Sequence, residues 1–158
     1  MISQRHRGLG WFLVIIGVIG VLTGAVPLTT NGLRILVDPD LWNVVDLASH
    51  GVEAMGLSVE WGFLSSAMGT VLGVVLLWAG VCWLRGYPCA RRVTWNYVLV
   101  GLTVNVVDMI IFAFRAKHGP MRTQMLFADG IAMLIPIVLG VWLIRQVRGA
   151  SASAASGR

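Results

Sequence analysis

Four long apolar stretches run through this chain, over about residues 8–26, 61–84, 95–114 and 125–144, and they leave few choices of fold. A bilayer core about 30 Å thick takes about 20 apolar residues per helix. In lipid each backbone polar group must be paired within the protein, and a helix does that by itself. The spacing therefore predicts an all-α fold, a four-helix transmembrane bundle. With 158 residues there is room for one membrane domain, over 1–148. The last segment, 149–158, is Gly, Ala and Ser with one Arg, and it reads as a disordered cytoplasmic tail. Composition agrees: 57% of residues are hydrophobic and 12% charged, against roughly 25% charged in soluble domains. The first stretch also has the charged start of a signal peptide. It is longer than an h-region of about 7–15 residues, so it reads as a membrane helix ended by Pro27.

Orientation follows from the basic residues. With the N-terminus inside, the inner segments hold Arg5, Arg7, Arg85, Arg91, Arg92, Arg145, Arg148 and Arg158. The outer ones hold Arg34, Arg115, Lys117 and Arg122. Asp38, Asp40, Asp46, Glu53 and Glu60 all fall in the first outer segment. Both termini are thus expected in the cytoplasm, and the protein in the cell membrane. Eleven of the twelve basic residues are Arg, a GC-rich coding bias that suggests a bacterium. Trp11, Trp83, Tyr87, Trp95, Tyr97 and Trp142 fall near the inner interface and Trp61 near the outer one, where amphipathic rings are favoured. The net charge of +5 is a topology signal. No basic, aromatic-interleaved patch suited to nucleic acid is present.

Glycines mark the helix contacts. Gly10, Gly17 and Gly24 are seven apart in the first helix, with a GxxxG at Gly20 and Gly24. The second helix has Gly62, Gly69, Gly73 and Gly80, with a GxxxG at Gly69 and Gly73. Small residues let helices approach closely in lipid. The favoured expectation is that these two helices pack on each other; the alternative is a homodimer seam.

The third and fourth helices carry the most informative feature. Asp108 and Asp129 lie inside them, equidistant from a midpoint between His118 and Gly119, as are Arg115 and Arg122, and Trp95 and Trp142. In an antiparallel hairpin, equal chain distance means equal depth. Both aspartates should lie at one level, roughly 10 Å below the outer boundary at about 1.5 Å rise per residue. A charge in the bilayer costs at least ~2.5–3.5 kcal/mol, so these side chains should face protein or a water cavity. Asn105 shares a face with Asp108. Two carboxylates held close do not both ionise easily, so the pair can share, hold and release a proton. Arg115 and Arg122 would stand at the outer mouth. Pro136 interrupts the fourth helix, frees the carbonyl of Ala132 and serves as a candidate hinge.

Residues 28–60 are too polar to span. Within them 41–55 reads as a short amphipathic helix on the outer surface, capped by Asp38 or Asp40. Asp46, His50 and Glu53 share one stripe of it and are weak metal candidates, with His118 as a fourth ligand; a solvated polar face accounts for them without an ion. Cys82 and Cys89 flank the inner turn, and in a reducing cytoplasm they read as inert thiols.

No nucleophile–His–acid set, Walker loop, dinucleotide fingerprint or paired intramembrane His is present, so no cofactor and no enzymatic chemistry are assigned. In size and four-helix plan the chain resembles several small bacterial membrane families, the DoxX-like ones among them. That likeness is one of architecture and assigns no residue a role. The favoured expectation is an accessory or scaffolding subunit of a larger membrane complex, in which the aspartates bond to each other or to Asn105 and clamp two helices. The alternative is a small proton-coupled transporter, acting as a homodimer, with Asp108, Asp129 and Asn105 as its site. A third, weaker reading is an outer-leaflet lipid enzyme with metal on Asp46, His50 and Glu53.

Overall fold

The computed structural model describes residues 4–36, 57–117 and 119–156. They form four helices in an up-down-up-down order: α1 (Gln4–Leu36), α2 (Val59–Arg85), α3 (Ala90–Arg115) and α4 (Pro120–Ser156). All four are long and apolar enough to cross a membrane. The expected amphipathic helix over 41–55 lies outside the described residues, and with it Asp46, His50 and Glu53; His118 does too.

Each helix runs beyond its apolar stretch, because polar terminal turns can sit at headgroup level while keeping their hydrogen bonds. The largest departure is in α1, which Pro27 does not end. Breaking a helix in lipid would strand backbone groups, whereas continuing it costs one hydrogen bond that neighbouring side chains can offset. Threonine hydroxyls bond other carbonyls of the turns around the proline. Thr29 donates to the carbonyls of Ala25 (3.0 Å) and Val26 (2.8 Å), and Thr30 to those of Val26 (3.1 Å) and Pro27 (3.2 Å). At the other end of the chain, α4 starts at Pro120, a residue suited to a first helical turn. It continues to Ser156, through the segment expected to be disordered. Residues 150–156 are Ala and Ser with no Gly or Pro, and Ala is the strongest helix former.

The turn between α2 and α3 is tight. Gly86 ends α2 at φ 70°, a left-handed conformation that glycine adopts without strain. The amides of Gly86 and Tyr87 then bond back to the carbonyls of Trp83 (3.3 Å) and Cys82 (2.9 Å), a Schellman closure.

The α1–α2 pairing is the most extensive in the bundle. Glycines lie at its closest approaches. A Cβ on Gly17 would lie 2.5 Å from the amide nitrogen of Leu77, and one on Gly73 would lie 2.6 Å from that of Val21. Gly10, Gly24 and Gly80 meet Leu84, Thr70 and Val14 in the same antiparallel register, and Gly20 faces Gly73. Gly69 differs: it has no neighbour within 4 Å of its Cβ position. The seam steps from Gly73 to Thr70, and Gly69 turns aside from it.

α3 and α4 pair in a register fixed by Gly101 beside Pro136 and Val98 beside Gly140. Carried one further stretch along both helices, the same register sets position 108 opposite position 129.

The core lies toward the arginine-rich end, which holds Arg7, Arg85, Arg91, Arg92 and Arg145. Leu13, Leu76, Ala79, Tyr97, Val98, Leu139 and Leu143 pack there from all four helices. Trp83 lies in this core at 8% exposure, in the last turn of α2. Its indole N–H donates to the Thr94 hydroxyl (2.9 Å), which donates to the Ala90 carbonyl (2.8 Å). Its ring meets Trp142 edge-on, with centroids 5.5 Å apart.

Candidate intramembrane site

Beyond that core the bundle opens into a cavity of about 320 Å³, lined by all four helices. Asp108 and Asp129 both line it, as does Asn105. The structure thus brings together the three residues singled out from spacing, and the two carboxylates are within electrostatic reach of each other.

Their hydrogen bonds are specific. Asp108 Oδ2 accepts from the Ser65 hydroxyl of α2 at 3.0 Å. Asn105 Nδ2 donates to the carbonyl of Gly101 on its own helix at 2.7 Å. Asp129 Oδ2 is buried with no hydrogen-bond partner among the described residues. The clamp expected from sequence, with the aspartates bonded to one another or to Asn105, is therefore not the arrangement found: Asp108 turns to α2, and the amide of Asn105 turns to its own helix.

Two proline-interrupted helices face this space. Pro27 removes the amide that would bond the carbonyl of Thr23, and Pro136 removes the one that would bond the carbonyl of Ala132. Thr23, Pro27 and Ala132 all line the cavity. Pro136 itself is fully buried, behind Gly101 of α3. Both helices continue through their prolines, so each leaves one carbonyl free rather than an unwound segment. The remaining polar lining comes from Ser65, Ser66 and Tyr97. Among the described residues no Lys, Arg or His lines it. The cavity is an oxygen-rich, acidic space, suited to protons and cations.

Arg115 and Arg122 do not line it. Arg115 ends α3 and is exposed. Arg122 is half-buried and donates to the carbonyl of Ala113, in the last turn of α3. A cation at that position complements the negative end of the helix dipole. This contact ties α4 to the end of α3.

Sequence reasoning missed Thr23, Ser65, Ser66 and Tyr97. The signal for three of them was available: a Ser-Ser pair in mid-helix, and a Thr four residues before a proline. Tyr97 is buried at 7% exposure and lines the cavity, a contact that an expected depth does not reveal. Among the described residues no group of three His, Cys, Asp or Glu side chains could hold a metal ion.

A second hollow is apolar. It measures about 540 Å³ and runs between α2 and α3, lined by Met68, Val71, Val75, Val93 and Val100 among others.

Comparison with protein-family models, curated proteins and solved structures gives no match for this chain.

Proposed function

We propose that this chain is a small multi-pass membrane protein of the cell membrane that exchanges protons for a small cation at the Asp108–Asp129 cavity. The observation that carries the reading is the cavity itself: four helices enclose two carboxylates in an apolar bundle, and one carboxylate oxygen is buried without a partner. Intramembrane acids with this setting mark ion and proton pathways. Two acids and no basic side chain among the described lining residues favour a cation over an anion. The volume exceeds that of a bare metal ion, so a partly hydrated ion or a small organic cation is the class of cargo that fits.

In this reading Asp129 takes up the proton or the cation, and Asp108, steadied by Ser65, holds the complementary state. The released carbonyls of Thr23 and Ala132 supply further oxygen donors. A homodimer would add a second cavity and a longer path. The α1–α2 glycine seam is already used within the chain, so such a dimer would form through other helix faces.

The test is proton flux in liposomes containing purified protein and a trapped pH dye. An inward gradient of sodium, potassium or tetramethylammonium should drive proton efflux. Asp108→Asn and Asp129→Asn should each abolish it while the helical content is unchanged. Normal flux in both variants would refute the site.

A second reading, an accessory subunit, is favoured by the apolar groove between α2 and α3, which offers a seat for a partner helix. Gentle extraction from the native membrane separates the two: a stoichiometric foreign chain supports the accessory role.

A further inference from the structure

Cys82 and Cys89 read as inert thiols from the reducing compartment expected for them. The fold brings them into contact. Cys82 stands in the last turn of α2, Cys89 is the N-cap of α3, and the Schellman turn at Gly86 folds one back on the other. Their sulfur atoms are 3.6 Å apart. A disulfide needs about 2.0 Å between sulfurs, a closure that side-chain rotation across a short turn can supply.

The pair is also asymmetric. Cys82 is fully buried and Cys89 is exposed. One thiol can meet a small oxidant, and the other can only meet its neighbour. Arg85 precedes the turn and Arg91 and Arg92 follow it, all three exposed. Reactive cysteines are found in such electropositive, accessible settings, often poised beside a resolving thiol.

We propose that Cys82 and Cys89 form an oxidisable dithiol at the arginine-rich end of the bundle. Hydrogen peroxide is the oxidant class. The Cys89 sulfur attacks the peroxide, the O–O bond breaks, and Cys89 sulfenic acid and one water form. The Cys82 sulfur then attacks the sulfenic sulfur, the S–O bond breaks, and a second water leaves as the disulfide closes. The two thiols lose two electrons and two protons in total, and the peroxide gains them. A thiol reductant reverses the step through a mixed disulfide. The arginine count places this end in the cytoplasm, so the resting state is the dithiol and the disulfide is a response to oxidant. The bond would join the last turn of α2 to the first of α3, beside the Trp83–Thr94 contact.

The test uses the full chain in lipid nanodiscs. It is treated with a small excess of hydrogen peroxide, alkylated after denaturation, digested without reduction and weighed. The expected product is a Cys82–Cys89 link within one chain that dithiothreitol removes. In Cys82→Ala, Cys89 should pass on to sulfinic acid, because nothing resolves it. In Cys89→Ser, Cys82 should stay unmodified. Full alkylation of both thiols in the wild-type chain, a Cys89 sulfinic acid formed without the link, or a link between two chains would each overturn the proposal.

Discussion

Replacing Gly17 by Ala, with Gly69→Ala as its matched control, tests the α1–α2 seam most directly. Both glycines lie in the middle of apolar helices, so the intrinsic gain of Ala over Gly, about 1 kcal/mol in each, cancels between them. What remains is packing. At Gly17 the new methyl would stand 2.5 Å from the Leu77 amide nitrogen and 2.8 Å from its Cα. Those are backbone atoms and have no rotamer to escape into. A comfortable contact is about 3.5–4.0 Å, so the helices must part by roughly 1 Å, and each neighbouring pair along the seam then loses a quarter to a half of its dispersion energy. Overpacking of this kind typically costs about 1–3 kcal/mol. At Gly69 the methyl meets nothing within 4 Å. Gly17→Ala should therefore be less stable than Gly69→Ala by about 1–3 kcal/mol, or about 5–150-fold in the unfolding equilibrium. Reversible unfolding in mixed detergent–lipid micelles, followed by circular dichroism, measures that difference. Equal stability of the two variants would refute the seam.

Ser65→Ala removes the donor to Asp108 and should slow proton–cation exchange; combined with Asp108→Asn it should add little, and a double-mutant cycle of stabilities should give a coupling of about 0.5–3 kcal/mol. Arg122→Ala loses the contact with the Ala113 carbonyl and should lower stability by about 1 kcal/mol while exchange is unchanged; loss of exchange at unchanged stability would return Arg122 to the mouth. Pro136→Ala restores the amide that Ala132 lacks, so flux should fall more than stability does, as read in the same liposomes and micelles.

The two aspartates were legible because the α3–α4 hairpin is symmetric in sequence about its turn, and antiparallel helices convert chain distance into depth. The register through Gly101 and Pro136 follows the same symmetry. The glycine seam was legible in its period but not in every member. Gly69 and Gly73 are four apart, which turns them to neighbouring stripes; the heptad line through Gly80 and Gly73 continues past Gly69, and Thr70 takes the next contact with Gly24. Pro27 misled because proline ends helices in water, where freed groups find solvent, whereas an apolar helix loses less by continuing past the one bond that Pro27 removes, as α1 does. The hydroxyls of the cavity were illegible for a related reason. In apolar helices Ser and Thr usually bond their own backbone, as Ser66 does to Gly62 and Thr70 to Ser66, and only the packed bundle shows that Ser65 instead reaches across to Asp108.

That last contact weighs on the choice between clamp and exchanger. A carboxylate retained for stability should be satisfied, because a buried polar group without a partner costs about 1–3 kcal/mol, and more when it is charged. Asp108 meets that standard through Ser65. Asp129 does not: its Oδ2 is buried and unpartnered among the described residues, while the nearby Asn105 amide is bonded to Gly101. If Asp129 were retained for stability, Asp129→Asn would lower the stability of the protein. An exchange site predicts stability kept or raised, together with complete loss of flux. Stability and flux measured on the one Asp129→Asn protein, beside the wild type, therefore decide the matter: stability kept and wild-type flux lost means a site, stability lost and flux no different from the wild type means a structural acid.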